Sequence, residues 1–457
     1  MVTSHDAIVI GAGQAGPSLA VRFAQAGLKT ALIERRGLGG TCVNDGCTPT
    51  KALVASARAA HMARRAADFG VFAGQVRVDM AAVRARKDAI VQASVESLER
   101  WIGGTRDLTL IRGSGRFTGP DEVTVGTEIL RAGKIVINTG GRPTIPDWPG
   151  LNGTSYLTST SILDLDVVPE HLIVVGGSYI GLEFAQIYRR FGAQVTVLEA
   201  ADRLIAREDL EVSAALRELL VGEGVAVHTG LKGLSTAKTA HGVRVTADFG
   251  GRVRLLAGSH LLVAVGRRPN TEDLNLPAAR VARDARGFIE VDDRLRTSAP
   301  GIWALGDVNG RGAFTSTSFN DYEILAANLL DGEDHRVTDR IPAYGLFTDP
   351  PLGRVGMTEQ EVRASGRPAL KAFMPMTRVG RARERGETFG FMQVLADART
   401  KQILGAAFLG TEGDEAVQVL LASMAAGAPY TTLQRLTPIH PTVSELIPTL
   451  LNELRPL

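Results

Sequence analysis

Short runs of consecutive apolar residues, each stopped by glycine and followed by a stretch with helical spacing, set the plan of this chain. Ala7-Ile8-Val9-Ile10 has the pattern of a strand buried on both faces. It stops at Gly11, and Ser18 to Ala26 follows with helical character. Thr30-Ala31-Leu32-Ile33 then reads as a second strand, ending at Glu34. The succession returns at Leu172-Ile173-Val174-Val175, a helical stretch from Leu182 to Phe191, and Gln194-Val195-Thr196-Val197-Leu198 ending at Glu199. Strand, helix and strand in that order predict parallel sheets with crossover helices, an α/β fold. Residues Ala52 to Trp101 read as largely helical, an excursion of the first unit.

Each copy carries a glycine turn between its strand and its helix. The first has Gly11, Gly13 and Gly16; the second has Gly176, Gly177 and Gly181, with Ser178 at the middle position. First glycine and closing acid are separated by the same 23 residues in both, 11 to 34 and 176 to 199. In this context the motif is a dinucleotide fingerprint. Glycine lets the backbone approach a pyrophosphate, the helix N-terminus attracts it, and the acid accepts hydrogen bonds from a ribose. Glu199 suits a free 2′-hydroxyl and repels a 2′-phosphate, which favours NADH over NADPH; Arg203 nearby works against that preference. A further apolar run ends at Gly306-Asp307, which places a carboxylate at a strand mouth.

Composition narrows the classes. A chain of 457 residues suggests about three domains. A net charge of +2 gives no electrostatic case for nucleic acid. No uncharged apolar run approaches the ~18 residues of a membrane helix. The N-terminus reads as a strand rather than a signal peptide, so the expectation is a cytoplasmic protein with neither nucleic-acid nor membrane partner.

The 457 residues hold only two cysteines, Cys42 and Cys47. A close pair in a reducing compartment points to catalysis or metal binding rather than a structural staple. Zinc needs about four ligands, and no histidine or second cysteine pair lies nearby in sequence, so no resident metal is expected. Bridged cysteines need Cα atoms within about 7 Å, and the backbone must bend between them, which Gly46 permits through unusual angles. Pro49 is tolerated in a first helical turn, and Lys51 to His61 is rich in helix formers. Cys47 is therefore expected at a helix N-terminus, whose partial positive charge favours thiolate. Far along the chain, His440 is followed at five residues by Glu445, the pairing that fixes a histidine tautomer.

Taken in order, these features resemble the flavin-dependent pyridine nucleotide-disulfide oxidoreductases, the family of dihydrolipoamide dehydrogenase, glutathione reductase and mercuric reductase. The likeness runs through the first glycine motif, Gly39-Gly40-Thr41-Cys42 to Cys47 and Lys51, Thr139-Gly140-Gly141-Arg142-Pro143, the second glycine motif, Val265-Gly266-Arg267-Arg268-Pro269-Asn270, Gly306-Asp307 and His440 to Glu445. It implies two Rossmann-like domains plus a C-terminal α+β dimerisation domain: FAD binding over 1–150 and 266–340, NAD(P)H binding over 151–265, and an interface domain over 341–457. Gly11, Gly13, Gly16 and Glu34 would hold the ADP half of FAD and Asp307 its ribityl chain. Gly40, Thr41, Thr139, Gly140, Gly306 and Gly266 complete the cofactor set. Gly176, Gly177, Gly181 and Glu199 would take NADH (or NADPH), with Tyr179 covering the flavin until it arrives.

By the same resemblance Cys47 faces the flavin, Cys42 attacks substrate, Lys51 pairs with Glu183 near the flavin, and His440 with Glu445 reaches the partner subunit's disulfide in a homodimer. The oxidant is less determined. No third cysteine exists for a mercuric relay. Ser318 to Tyr322 and Phe347 to Pro351 depart from dihydrolipoamide dehydrogenase, and with the stretch Tyr344 to Glu359 and Arg381-Ala382-Arg383 they look most like the reactive-chlorine-resistance branch, which reduces Cu(II). The expected acceptor is a metal ion or small oxidant; lipoamide or another small disulfide is the alternative. A non-catalytic flavin-binding assembly subunit is the alternative from another class.

Overall fold

The computed structural model describes residues 2–457. The chain folds as two compact units: Met1–Ala52, Ala82–Thr144 and Gly266–Arg340 form the first, and Leu53–Ala81, Ile145–Val265 and Ile341–Leu457 the second.

In the first unit, Ala7–Ile10 lies inside a five-stranded parallel sheet ordered Ile302–Ala304, Lys134–Ile137, Ala7–Ile10, Thr30–Glu34, Leu108–Arg112. Alternation explains why the run is apolar throughout. Val9, Leu32 and Val136 pack with Leu19, Ala20 and Phe23 of helix Ala15–Gln25. Ile8, Ile10, Ile33 and Ile135 pack on Phe117, Val123 and Leu130, which belong to a second sheet of Val2–Ser4, Glu128–Arg131, Glu122–Val125 and Gly115–Phe117. Each such side chain removed from water contributes about 1.5–3 kcal/mol. A ribbon of Gly141–Pro143 against Arg267–Pro269 completes the unit.

The second unit repeats the arrangement around a parallel sheet ordered Ala226–His228, Gln194–Leu198, His171–Val175, His260–Val263. Ile173 and Val175 meet Val243 and Val245 of a three-stranded antiparallel sheet. Its C-terminal part is a six-stranded antiparallel sheet, Ala343–Leu346, Leu352–Gly356, Ile403–Leu409, Phe391–Asp397, Ala369–Pro375 and Arg455–Pro456. Met392, Val394, Ala406 and Phe408 bury one face of it against Leu450 and Leu451 of helix Ile447–Asn452.

Helices Ala15–Gln25 and Tyr179–Phe191 both begin three residues before the starts read from sequence, inside the glycine turns. Those residues lack apolar periodicity, so pattern reading stops short of them. The excursion over 52–101 resolves into helices Cys47–Arg64 and Met80–Gly103 with a short turn of helix at Ala66–Phe69 between them. Its earlier part, from Leu53, groups with the second unit, where Arg58 is ion-paired with Asp349 and Glu387, and Arg64 donates to the Arg190 carbonyl.

Candidate dithiol and dinucleotide sites

Cys42 sits on a five-residue helix, Gly40–Asn44, and Cys47 is the first residue of the next, Cys47–Arg64. The bend between them runs through Asp45 and Gly46. Gly46 does not adopt the left-handed region; a Cβ there would lie 2.8 Å from the Thr41 carbonyl oxygen, so close approach is what demands glycine. Pro49 lies in the first helical turn, where its missing N–H has no helical acceptor to lose. Cys47 is exposed and Cys42 half-buried, and the two form a dithiol rather than a disulfide.

A hydrogen bond with Cys47, then burial, then the charge of Cys47 push the Cys42 thiol well above the usual range, against the opposing pull of Thr315 and Lys51. Cys42 is therefore the harder of the two thiols to ionise. Thr315 Oγ1 lies 3.2 Å from Cys47 Sγ. It opens helix Thr315–Ala326, and 268 positions of sequence separate the two residues.

The glycine turn of the first unit closes around the same region. A Cβ on Gly16 would fall 2.1 Å from the Gly11 carbonyl oxygen, and one on Gly40 2.7 Å from the Gly13 Cα. Glu34 is buried, and its two oxygens accept from the amides of Ala12 at 2.7 Å and Arg36 at 2.6 Å. Thr139 and Gly140 are tied to Asn270 through three hydrogen bonds. Gly306 and Asp307 follow strand Ile302–Ala304. Burial raises the Asp307 carboxyl above its usual range against the pull of Arg267, whose Nε is 3.6 Å from Asp307 Oδ2 and whose Nη2 donates to the Gly141 carbonyl at 2.6 Å. Gly266, next to this arginine, is exposed. Asp321 is buried beneath the turn; its carboxylate accepts from the Gly306 amide at 2.8 Å and the Asn309 amide group at 3.0 Å, and pairs with Arg340.

The second unit repeats the acid geometry. Glu199 accepts from the amides of Gly177 at 2.5 Å and Ala201 at 2.7 Å, as Glu34 does from Ala12 and Arg36. A Cβ on Gly181 would lie 1.9 Å from the Gly176 carbonyl oxygen. Ser178 is extended and exposed at the head of helix Tyr179–Phe191, a conformation that needs no glycine. Arg203 donates to the carbonyls of Ala206 at 2.6 Å and Glu208 at 2.9 Å. The Tyr179 phenol donates to Glu208. Buried Glu183 accepts from the Phe347 amide at 2.9 Å. His440 Nδ1 meets Glu445 Oε2 at 2.9 Å, with the histidine 82% exposed and the glutamate 15%, which leaves Nε2 as the outward-acting ring nitrogen. Arg381 clamps this loop through the Pro441 carbonyl at 2.6 Å.

Cys42, Cys47, Lys51, the first glycine turn, Glu34, Gly40, Thr41, Thr139, Gly140, Gly266, Gly306 and Asp307 thus all lie in the first unit; Gly176, Gly177, Tyr179, Gly181, Glu183, Glu199, His440 and Glu445 lie in the second. Sequence reasoning missed Thr315, Arg267 and Asp321 in one, and Glu208 with Tyr344 and Arg354 in the other. Arg267 falls inside the Val265 to Asn270 motif, Asp321 inside Ser318 to Tyr322, and Tyr344 and Arg354 inside Tyr344 to Glu359, but none was given a role; Thr315 and Glu208 carried no signal. Among the described residues, no group of three or more His, Cys, Asp or Glu side chains is placed to hold a metal ion. None of their helices is long and apolar enough to cross a membrane.

Comparison with known proteins agrees with this anatomy. The profile of the pyridine nucleotide-disulphide oxidoreductases matches residues 5–321, and that of the family's dimerisation domain matches residues 342–451. The chain is 36% identical over 456 residues to the probable pyridine nucleotide-disulfide oxidoreductase RclA of Escherichia coli, covering 97% of this chain and 98% of that one. It is 33% identical to the dihydrolipoyl dehydrogenase of Chlamydia pneumoniae, covering 98% and 96%. A solved structure, the Cu(II) complex of the HOCl-induced flavoprotein disulfide reductase RclA from Escherichia coli, superposes with a TM-score of 0.89 at 33% identity, covering 98% of this chain and 99% of the other.

Proposed function

The chain belongs to the pyridine nucleotide-disulphide oxidoreductases, and from that premise we propose that it is an NADH-dependent reductase delivering electrons through Cys42 and Cys47 to a metal ion of the Cu(II) kind or a small oxidant. The family uses FAD and NAD(P)H. The first unit fits FAD: the close packing at Gly11, Gly16 and Gly40 brings backbone rather than side chains to the turn, Glu34 is oriented for a ribose, and Asp307 waits at the strand mouth. When bound, FAD supplies the two-electron relay between nicotinamide and dithiol.

The dithiol carries the reading. Cys47 at a helix N-terminus, beside the Thr315 hydroxyl, suits the thiolate partner, and Cys42 retains the proton to be released on reaction. Two Cu(II) ions each accept one electron as the Cys42 thiol loses its proton and joins the Cys47 thiolate in a disulfide, and one NADH, supplying two electrons and one proton, restores thiol and thiolate. Soft thiolates suit the Cu(I) product, and a relative that matches 98% of this chain has been solved as a Cu(II) complex. The preference for NADH rests on Glu199, held in place by two amides, and on Arg203, whose guanidinium is engaged with backbone carbonyls.

The His440–Glu445 pair favours a second reading, reduction of a small disulfide such as lipoamide, because an oriented imidazole is the base that thiol–disulfide exchange needs. In either case the dimerisation domain supports a homodimer, with His440 serving the partner's dithiol, in the reducing cytoplasm. A steady-state panel of lipoamide, glutathione disulfide, Cu(II), Hg(II) and quinones, each with NADH and NADPH, separates the readings. Fast turnover with NADH and Cu(II) is expected, and a dominant lipoamide rate overturns the first.

A further inference from the structure

We infer that Glu208 is a positioning residue for nicotinamide entry: its buried carboxylate anchors the Tyr179 phenol and so sets how readily that ring moves aside, while Tyr344 and Arg354 hold the carboxylate in place. The inference rests on the reading of Tyr179 as the ring the nicotinamide must displace.

The geometry is that of a hub. Glu208 Oε1 accepts from the Tyr179 hydroxyl at 2.9 Å and from the Tyr344 hydroxyl at 2.7 Å. Its Oε2 accepts from Arg354 Nε at 3.0 Å and Nη2 at 2.7 Å. A carboxylate offers about four acceptor sites, and these four donors fill them. The side chains of Glu208 and Arg354 are both fully buried. The two phenol rings meet edge to face, 6.0 Å apart. Burial and the adjacent Glu208 charge keep both phenols protonated, hence permanent donors. Arg354 is shared with buried Asp209, which also accepts from the Gln393 amide group and the Glu359 amide.

Two carboxylates around one guanidinium are a poor way to gain stability, since burying charge costs much of what pairing returns. Their location suggests a use. Segment 203–209 is fastened to the second glycine turn, with the Ile205 amide donating to the Gly177 carbonyl at 2.9 Å. Ile205 has φ of 38°, a conformation β-branched residues rarely adopt and one that persists only where surroundings impose it. The segment that closes the nucleotide turn thus also supplies the anchor for the aromatic residue at the head of the following helix. A phenol bound to a charged, buried acceptor must break that bond when its ring swings out, so the anchor opposes entry.

The test uses the FAD-loaded homodimer and measures the NAD+ dissociation constant by calorimetry, alongside half-saturation by NADH in anaerobic flavin reduction. Tyr179→Phe keeps the ring and removes the tether; NAD+ binding should tighten about tenfold. Glu208→Gln keeps a neutral acceptor and loses only its charge, so it should tighten binding by a smaller factor, and the double variant should match Tyr179→Phe, because without the phenol the charge has nothing left to hold. Half-saturation by the oxidant should stay unchanged in all three. Additive effects, or unchanged NAD+ affinity in Tyr179→Phe, overturn the inference. If Glu208→Gln does not fold, Tyr179→Phe decides alone. Tyr179→Ala separates the premise: if removing the whole ring leaves NAD+ and NADH affinity untouched, the gate reading fails and the inference with it. If Tyr179→Ala shifts affinity and Tyr179→Phe does not, the gate stands and only the anchor falls.

Discussion

Replacing Thr315 by valine removes one hydroxyl from beside the dithiol and keeps the side chain's shape. That hydroxyl lies 3.2 Å from Cys47 Sγ and also opposes the upward shift of Cys42, so it stabilises the anionic form of the pair. A hydrogen bond to a charged acceptor contributes about 1.5–3 kcal/mol. Cys47 is exposed and sulfur accepts weakly, which reduces the figure to about 1 kcal/mol. At about 1.4 kcal/mol per pH unit the change is about 0.7 unit. The sign follows from the charged form being the one that is bonded: without the hydroxyl, thiolate appears only at higher pH. The assay is the long-wavelength thiolate-to-flavin absorbance of NADH-reduced, anaerobic protein, titrated between about pH 5 and 9. Its midpoint should rise by about 0.7 unit in Thr315→Val and stay in place in Thr315→Ser. A valine variant within about 0.2 unit of the parent, or a serine variant that moves equally, refutes the argument.

Other consequences are open to direct measurement. Glu199→Gln removes the charge that repels a 2′-phosphate while keeping an acceptor for the Gly177 amide, so the NADPH to NADH ratio of kcat/KM should rise about tenfold. Asp321→Ala strips Arg340 of its buried partner and the Gly306 amide of its acceptor, a loss of about 3–5 kcal/mol. Gel filtration should then show FAD lost from the protein. His440→Ala should leave rapid flavin reduction by NADH intact and abolish turnover with disulfide substrates; unchanged turnover would falsify its role as the base.

The sequence carried the parallel sheets well, because strands buried on both faces must be apolar throughout. Ala7–Ile10 and Gln194–Leu198 were read to the residue. The start of the long helix at Cys47 was also legible, since proline tolerates a first turn and little else in a helix. Gly46 was read as glycine for the wrong physical reason: the nearby Thr41 carbonyl, not backbone angle, excludes a side chain. The buried ions were illegible. Arg354 stands in Leu352–Gly356, every residue of which is buried, and Glu208 stands in a charged run that reads as a solvated helix start. A charge pattern cannot report that two adjacent carboxylates close around a guanidinium from a distant segment. Thr315 was hidden likewise by its distance from Cys47 along the chain.

The twin acids Glu34 and Glu199 bond the backbone in the same way, so whatever distinguishes the two nucleotides is written elsewhere. Between the first and last glycine the two turns differ at every position, Ala12-Gly13-Gln14-Ala15 in one copy and Gly177-Ser178-Tyr179-Ile180 in the other, and Gln14 and Tyr179 bring the polar side chains. Gln14 reaches the Gly39 carbonyl at 3.1 Å, at the entrance to the cysteine helix, whereas Tyr179 reaches Glu208. A repeated part has kept its frame and changed its latch. Chimeras that exchange these tetrapeptides would show how little of a nucleotide-binding unit must mutate for one copy to become a permanent seat and the other a revolving door.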